Sequence, residues 1–175
     1  LVEGENLLSG GADYDGTGRY RTYKVRGQHR GNDDFFGESA ASASGSATDE
    51  GVRRDERALV IRADGNANAA QAKARAQWEA TVRAARSQTV HVSVQGWTQG
   101  DGSLWQVNSI VPVKSEYLGV DSDMLITEVT FSQDDQSGTT TEISLARPDA
   151  FQPEPTVQPK GKSGSAPWAE LAGGV

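Results

Sequence analysis

The 175-residue chain contains no cysteine, one methionine and two histidines. Without cysteine there is no disulfide staple and no thiolate metal site, a composition that suits a reducing compartment. His29 and His91 cannot by themselves build a histidine-rich metal centre, and no serine or cysteine nucleophile motif accompanies them. No metal and no cofactor is expected. Long apolar runs are also missing: nothing approaches the roughly 20 residues that cross a bilayer, and nothing reads as a signal peptide, so no stable membrane insertion is expected. Hydrophobic residues make up only 35% of the chain and the mean hydropathy is −0.58, which predicts that part of it stays unpacked.

Positive charge is scarce in one half. Residues 1–87 hold 13 Lys/Arg and 13 Asp/Glu, whereas residues 88–175 hold 4 and 11, so the net charge of −7 lies entirely in the second half. That half has the wrong sign for gripping phosphates. The scattered Arg19, Arg21, Arg26 and Arg30 read as a solvated strand face.

Phosphate and calcium motifs fail on spacing. Gly161 to Ser163, "GKS", ends like a phosphate-binding loop, but the earlier glycine such a loop requires is Thr156 and no strand precedes it. Gly16 to Gly18, "GTG", lacks the third glycine of a dinucleotide fingerprint, which falls on Arg21. Asp64, Asn66 and Asn68 have the first spacings of a calcium loop, yet Ala69 and Arg75 occupy the positions that need glycine and a bidentate carboxylate. The paired acids Asp121/Asp123 and Asp134/Asp135 read as turn residues.

What is present is strand alternation. "RYRTYKVRG" from Arg19 and "RALVIRAD" from Arg57 read as strands, separated by a Ser/Ala/Gly-rich excursion expected to be flexible, with Phe35 and Phe36 as its one apolar point. A single convincing helix is predicted from about Ala67 to Ser87, capped by Asn66 or Asn68, with Ala70, Ala74, Trp78, Val82 and Ala85 as its apolar stripe and Glu79 within reach of Arg75 or Arg83. Four strands follow, expected as consecutive antiparallel hairpins. Val90, Val92 and Val94 face inward on the first, away from His91, and Trp105, Val107, Val111 and Val113 share a face of the second. Leu125, Val129 and Phe131 do so on the third, and Thr141, Ile143 and Leu145 on the fourth. Four of the six prolines lie beyond Phe151, where the composition is that of a tail.

These patterns predict a mainly β chain with one long helix (α+β): an antiparallel β-barrel-like domain over residues 57–151, part of a second β domain over residues 1–56, and a Pro/Gly-rich tail over residues 152–175. The expected core is Trp78, Val92, Val94, Trp105, Val111, Leu125, Val129, Phe131, Ile143 and Leu145. Trp97 lies on the face opposite the valines and, with Phe35 and Phe36, is a candidate subunit contact. The two tryptophans flanking "TQGDGS" also admit a second reading, a carbohydrate-binding β-module. No constellation of side chains meets the geometry that acid–base or nucleophilic catalysis requires, so the protein is not expected to be an enzyme.

One ordered set of residues goes further. Arg75, Trp78-Glu79, Arg83 and Ser87 on the helix are followed by Gly96-Trp97, Gly102-x-Leu104-Trp105 and Asn108. Val111-x-Val113, Leu125-Ile126, Gly138 to Thr141 and Pro148-x-Ala150-Phe151 complete the set. Together they resemble the C-terminal part of the baseplate hub proteins of Mu-type contractile-tailed phages, with a weaker likeness back to about residue 5. The resemblance implies a structural subunit of the virion tail baseplate, assembled in the bacterial cytoplasm. It implies a homotrimer that joins the tail tube or its adaptor to the central spike, with DNA as passing cargo. It also implies further domains ahead of Leu1.

Overall fold

The computed structural model describes residues 1–28, 43–136 and 138–155. Their elements are β1 (Leu7–Tyr14), β2 (Thr22–Gln28), β3 (Ala43–Thr48), β4 (Ala58–Asn66), α1 (Ala69–Arg86), β5 (Gln88–Gln95), β6 (Ile110–Ser115), β7 (Val120–Asp134), β8 (Gly138–Ala146) and a 3₁₀ turn, Pro148–Phe151. The chain is mostly β with one helix, as the alternation predicts.

Two sheets form. The five-stranded sheet has the order β1-β5-β8-β7-β6 with every neighbour antiparallel, and the three-stranded sheet has the order β3-β2-β4, with β4 parallel to β2. The five-stranded sheet is strongly curled. Residues 1–3 run along β6 before the chain enters β1: Lys114 donates to the Leu1 carbonyl at 2.9 Å and Glu3 donates to Lys114 at 3.1 Å. The start of the chain therefore links the two edges of this sheet and helps it enclose its own core.

That core is aliphatic. Val90, Val92 and Val94 on β5 meet Leu145, Ile143 and Thr141 on β8 in direct register, all buried, and Met124 and Ile126 join them from β7. Alternation at 180° per residue places these side chains on one face and His91, Ser93 and Gln95 on the other. The register breaks between Ile126 and Glu128, where β7 bulges. This corrects one expectation. A strict alternation joins Leu125 to Val129 and Phe131, but before the bulge the inward residues are Met124 and Ile126, leaving Leu125 half-buried on the outer face. After it, Val129 packs partly on the core, and Phe131 lies at the sheet's end with 44% of its surface exposed. One extra residue shifts the side-chain phase, which alternation alone does not reveal.

The strand order also departs from consecutive hairpins. β6, β7 and β8 do form a meander, but β5 inserts between β8 and β1, so residues 96–109 must cross from one side of the sheet to its far edge. This crossing explains Trp105. The predicted continuous strand from Leu104 to Lys114 is interrupted by Asn108, whose φ of 63° turns the chain. Val107 is consequently exposed, while Trp105 folds back and is buried over the core end, as expected.

The helix begins where a capping signal places it. Asn68 accepts from Gln71 N–H at 2.9 Å while the Gln71 side chain accepts from Asn68 N–H at 2.9 Å, a reciprocal capping box. Its buried face is Ala72, Ala76, Glu79, Val82 and Ala85 rather than the stripe through Ala70, Ala74 and Trp78. Alanines lie all round this helix, so spacing does not select a face. What selects it is β3. The segment "ASGSAT" was expected to belong to a flexible excursion, but it forms a strand paired with β2. A β-carbon at Gly45 would collide with the backbone of Ala72 and Lys73. Small residues here permit close approach of strand to helix, and they are not a sign of looseness.

The layers thus cut across the domain boundaries read from sequence. β1 belongs to the sheet of residues 88–146, β4 belongs with β2 and β3, and α1 packs on β3 and β2 rather than on the five-stranded sheet. The tail boundary shifts as well. Trp78 Nε1 donates to the Gln152 carbonyl at 2.9 Å, Arg86 donates to Ala150 O at 3.1 Å, and Arg75 pairs with Glu154 while lying 4.6 Å over the Trp78 ring. Trp78 is therefore a half-buried clamp on residues 150–154 instead of a core anchor. The remainder of the tail, with Gly161 to Ser163, lies outside the described residues, as do Phe35 and Phe36.

Candidate functional site

The tryptophan-flanked segment is a tight excursion. Gly96 leaves β5 with φ 77°, Thr98 bridges Leu104, and Trp105 N–H donates to Trp97 O at 3.2 Å. The turn between them is held by Asp101, which accepts from Ser103 N–H at 2.9 Å and from its hydroxyl at 2.6 Å; these bonds hold its carboxyl below the usual carboxylate range. The two rings then part. Trp105 is 7% exposed, and its Nε1 has no hydrogen-bond partner among the described residues. Trp97 is 38% exposed and lies edge-on to Phe131 at 6.2 Å, with its Nε1 donating to Ser132 O at 3.1 Å. No flat pair of exposed rings results. Trp97 and Phe131 instead make one small aromatic patch at the end of β7.

Charge separates onto the two sheets. The outward face of the five-stranded sheet carries Asp13, Asp121, Asp123, Glu128 and Glu142, with Lys114 opposite Asp121. Asp121 and Asp123 are therefore strand residues, not turn residues. A polar groove of about 470 Å³ runs over this face beside β1, with Gly11 in its floor and His91 and Glu142 along it. His91 Nδ1 lies 3.0 Å from the Ser144 hydroxyl and its Nε2 3.8 Å from Asp13. The outward face of the three-stranded sheet carries Lys24 and Arg26, in register with Val60 and Arg62.

Polar groups that do sink inward are spent on joining elements. Asp49 receives two bonds from Arg19, at 2.8 and 2.9 Å, and one from Gly51 N–H at 2.9 Å. The Arg19 guanidinium holds the Asp49 carboxyl below its ordinary range. Arg19 also reaches the Ser87 hydroxyl at 3.4 Å, tying the start of β2 to the end of α1. Glu79, expected to meet Arg75 or Arg83, meets both, at 2.8 and 2.6 Å. Burial raises the Tyr23 phenol, whose oxygen accepts from Tyr20 N–H at 3.0 Å. Each of these groups has a structural partner, and among the described residues no group of three His, Cys, Asp or Glu is placed to hold a metal ion. Asn68, one of the spaced calcium-type residues, caps α1.

Comparison with known proteins is specific. Residues 68–154 match the family model of the fourth domain of the Mu phage baseplate assembly protein GpP. The chain is 38% identical over 156 residues to the baseplate hub protein gp44 of Escherichia phage Mu, covering 86% of this chain and 41% of that protein. Among solved structures, the 43 kDa tail protein of prophage MuSo2 from Shewanella oneidensis superposes with a TM-score of 0.67 at 30% identity, covering 86% of this chain and 43% of that one. The tail protein from Neisseria meningitidis MC58 shares the fold, with a TM-score of 0.63 at 20% identity over 86% of this chain and 44% of that one. The chain thus spans less than half the length of the relatives it matches. The matched span runs from the helix cap to the clamp on residues 150–154, and the chain belongs to the Mu-type phage baseplate hub family.

Proposed function

We propose that the chain is part of a structural, non-enzymatic subunit of a phage or prophage baseplate hub: a homotrimer that joins the tail tube to the central spike and surrounds a channel for DNA. The observation that carries this reading is the match of residues 68–154 to the fourth domain of the Mu phage baseplate assembly protein GpP, together with 38% identity over 156 residues to the Mu baseplate hub protein gp44. The acid excess of the second half supports passage of DNA over binding of it, because like charge repels phosphate. Assembly takes place in the bacterial cytoplasm, with the virion tail as its destination.

The carbohydrate-module reading loses its motive, since Trp105 is buried and Trp97 is turned edge-on to Phe131. The test is the assembly of the whole protein. Light scattering and electron microscopy should give a trimeric ring that binds the tail tube and spike proteins. A monodisperse monomer indifferent to both overturns the proposal.

A further inference from the structure

After β8 the chain crosses α1 as the 3₁₀ turn followed by Gln152-Pro153-Glu154-Pro155. Ala150 is buried where the turn packs on α1, whereas residues 151–155 are all exposed and, among the described residues, pair with no strand. Little apolar area therefore holds them down. Their backbone donors are satisfied locally or absent. Ala150 N–H donates to Arg147 O at 3.0 Å and Gln152 N–H to Asp149 O at 3.4 Å, and the two prolines have no N–H to give. What the segment offers the helix is carbonyls and one carboxylate. α1 meets these with side-chain donors: Arg86 to Ala150 O, Trp78 Nε1 to Gln152 O, and Arg75 to the Glu154 carboxylate.

Alternating proline shapes this segment before it docks. A residue that precedes proline is confined to extended backbone, and Gln152, with φ −58° and ψ 130°, has polyproline dihedrals. A tryptophan set against an extended, proline-containing segment is how aromatic grooves take proline-rich peptides. Because such a segment loses little conformational freedom on docking, a few side-chain bonds are enough to hold it. No packed core has to be broken to release it.

We propose that residues 148–155 are a releasable strap, a polyproline-type segment that α1 holds through Arg75, Trp78 and Arg86 and releases while both sheets stay folded. Local opening of this kind belongs to segments with few buried apolar contacts. Release frees eight residues, which at about 3.1 Å each add about 25 Å to the reach of the sequence that follows. The strap thus holds slack between β8 and residues 156–175. This inference does not depend on the hub reading, since every contact in it lies within the chain.

Chymotrypsin reads the opening. It cuts after Phe151 only when the turn unwinds and the Ala150 and Gln152 carbonyls come free, so at low protease the rate follows the open population. In whole protein without denaturant this cut, placed by mass spectrometry, should occur while the amides of β5 and β8 remain protected from hydrogen exchange. Trp78→Phe keeps a ring and removes the donor, and it should raise the rate by up to about tenfold, the equivalent of one hydrogen bond. Glu154→Gln and Pro153→Ala should each raise it severalfold, the first by loosening the hold of Arg75 and the second by loosening the preformed backbone, with sheet protection unchanged. Cleavage at Phe151 that appears only with global unfolding overturns the strap, as does a rate that none of the three variants changes. A rate raised by Trp78→Phe and Glu154→Gln but not by Pro153→Ala overturns its polyproline character.

Discussion

The two layers of this molecule hold together by different means. The five-stranded sheet is closed around branched aliphatic side chains: Val90, Val94, Ile126, Ile143 and Leu145 are all essentially inaccessible to solvent. Among the described residues the layer of α1 on β2 and β3 clusters Tyr23, Val25, Ala72 and Ala76, and it adds Arg19–Asp49 and the Arg75–Glu79–Arg83 network around them. The first layer draws its stability from burial of apolar area, the second from close approach and paired charge. A layer built on alanine and glycine buries little area per residue, so its geometry has to be tight and its polar groups satisfied.

Substitutions in each layer sharpen this contrast. The largest effect is expected at Leu145, at the centre of the aliphatic core: Leu145→Ala should cost about 4 kcal/mol in chemical denaturation, the range for a buried leucine that leaves a cavity. Next comes Gly45→Val, which adds volume where a single β-carbon already collides with the α1 backbone. It should cost about 3 kcal/mol and raise hydrogen exchange in β3 and α1 before β5 and β8, as expected of overpacking. An equal rise in both layers would show that they do not differ in the way described.

The smallest effect is expected at Asp49, and it carries a pH signature. Its folded-state pKa is lowered by Arg19, so the stability it contributes is present above the ordinary, unfolded carboxylate value and is lost as pH falls through the lowered folded value. Asp49→Asn should cost about 2 kcal/mol at neutral pH, between the values for an exposed and a fully buried ion pair, and should flatten the acid limb of the stability curve. Glu3, Asp15 and Asp101 are also lowered by hydroxyl or backbone donors, so part of the acid slope should survive the substitution. A variant whose acid limb matches wild type would remove Asp49 from the account.

Much of the five-stranded layer is legible in the residues because a half-buried strand must alternate. Val92, Val94, Val111, Ile143 and Leu145 are buried as alternation requires. Legibility fails where an extra residue or a crossing loop intervenes, as with Leu125 and Phe131 on either side of the β7 bulge and Val107 beside the left-handed Asn108. In the helix layer the failure has another cause. Ser/Ala/Gly composition describes an unpacked loop and a tightly docked strand equally well, so β3 carries no local signal that separates the two.

By itself the amino-acid order determined the β character of the chain, the capped helix, the turn at Asp101, the inward valines and the hub family, because each depends on local geometry or on residues matched one by one. Only the tertiary structure decided that β5 lies between β1 and β8, that Trp105 closes a core while Trp97 does not, and that Trp78 grips the chain beyond the 3₁₀ turn. These depend on contacts between residues far apart in the chain, where the free energy of packing, rather than the preference of any short segment, makes the choice.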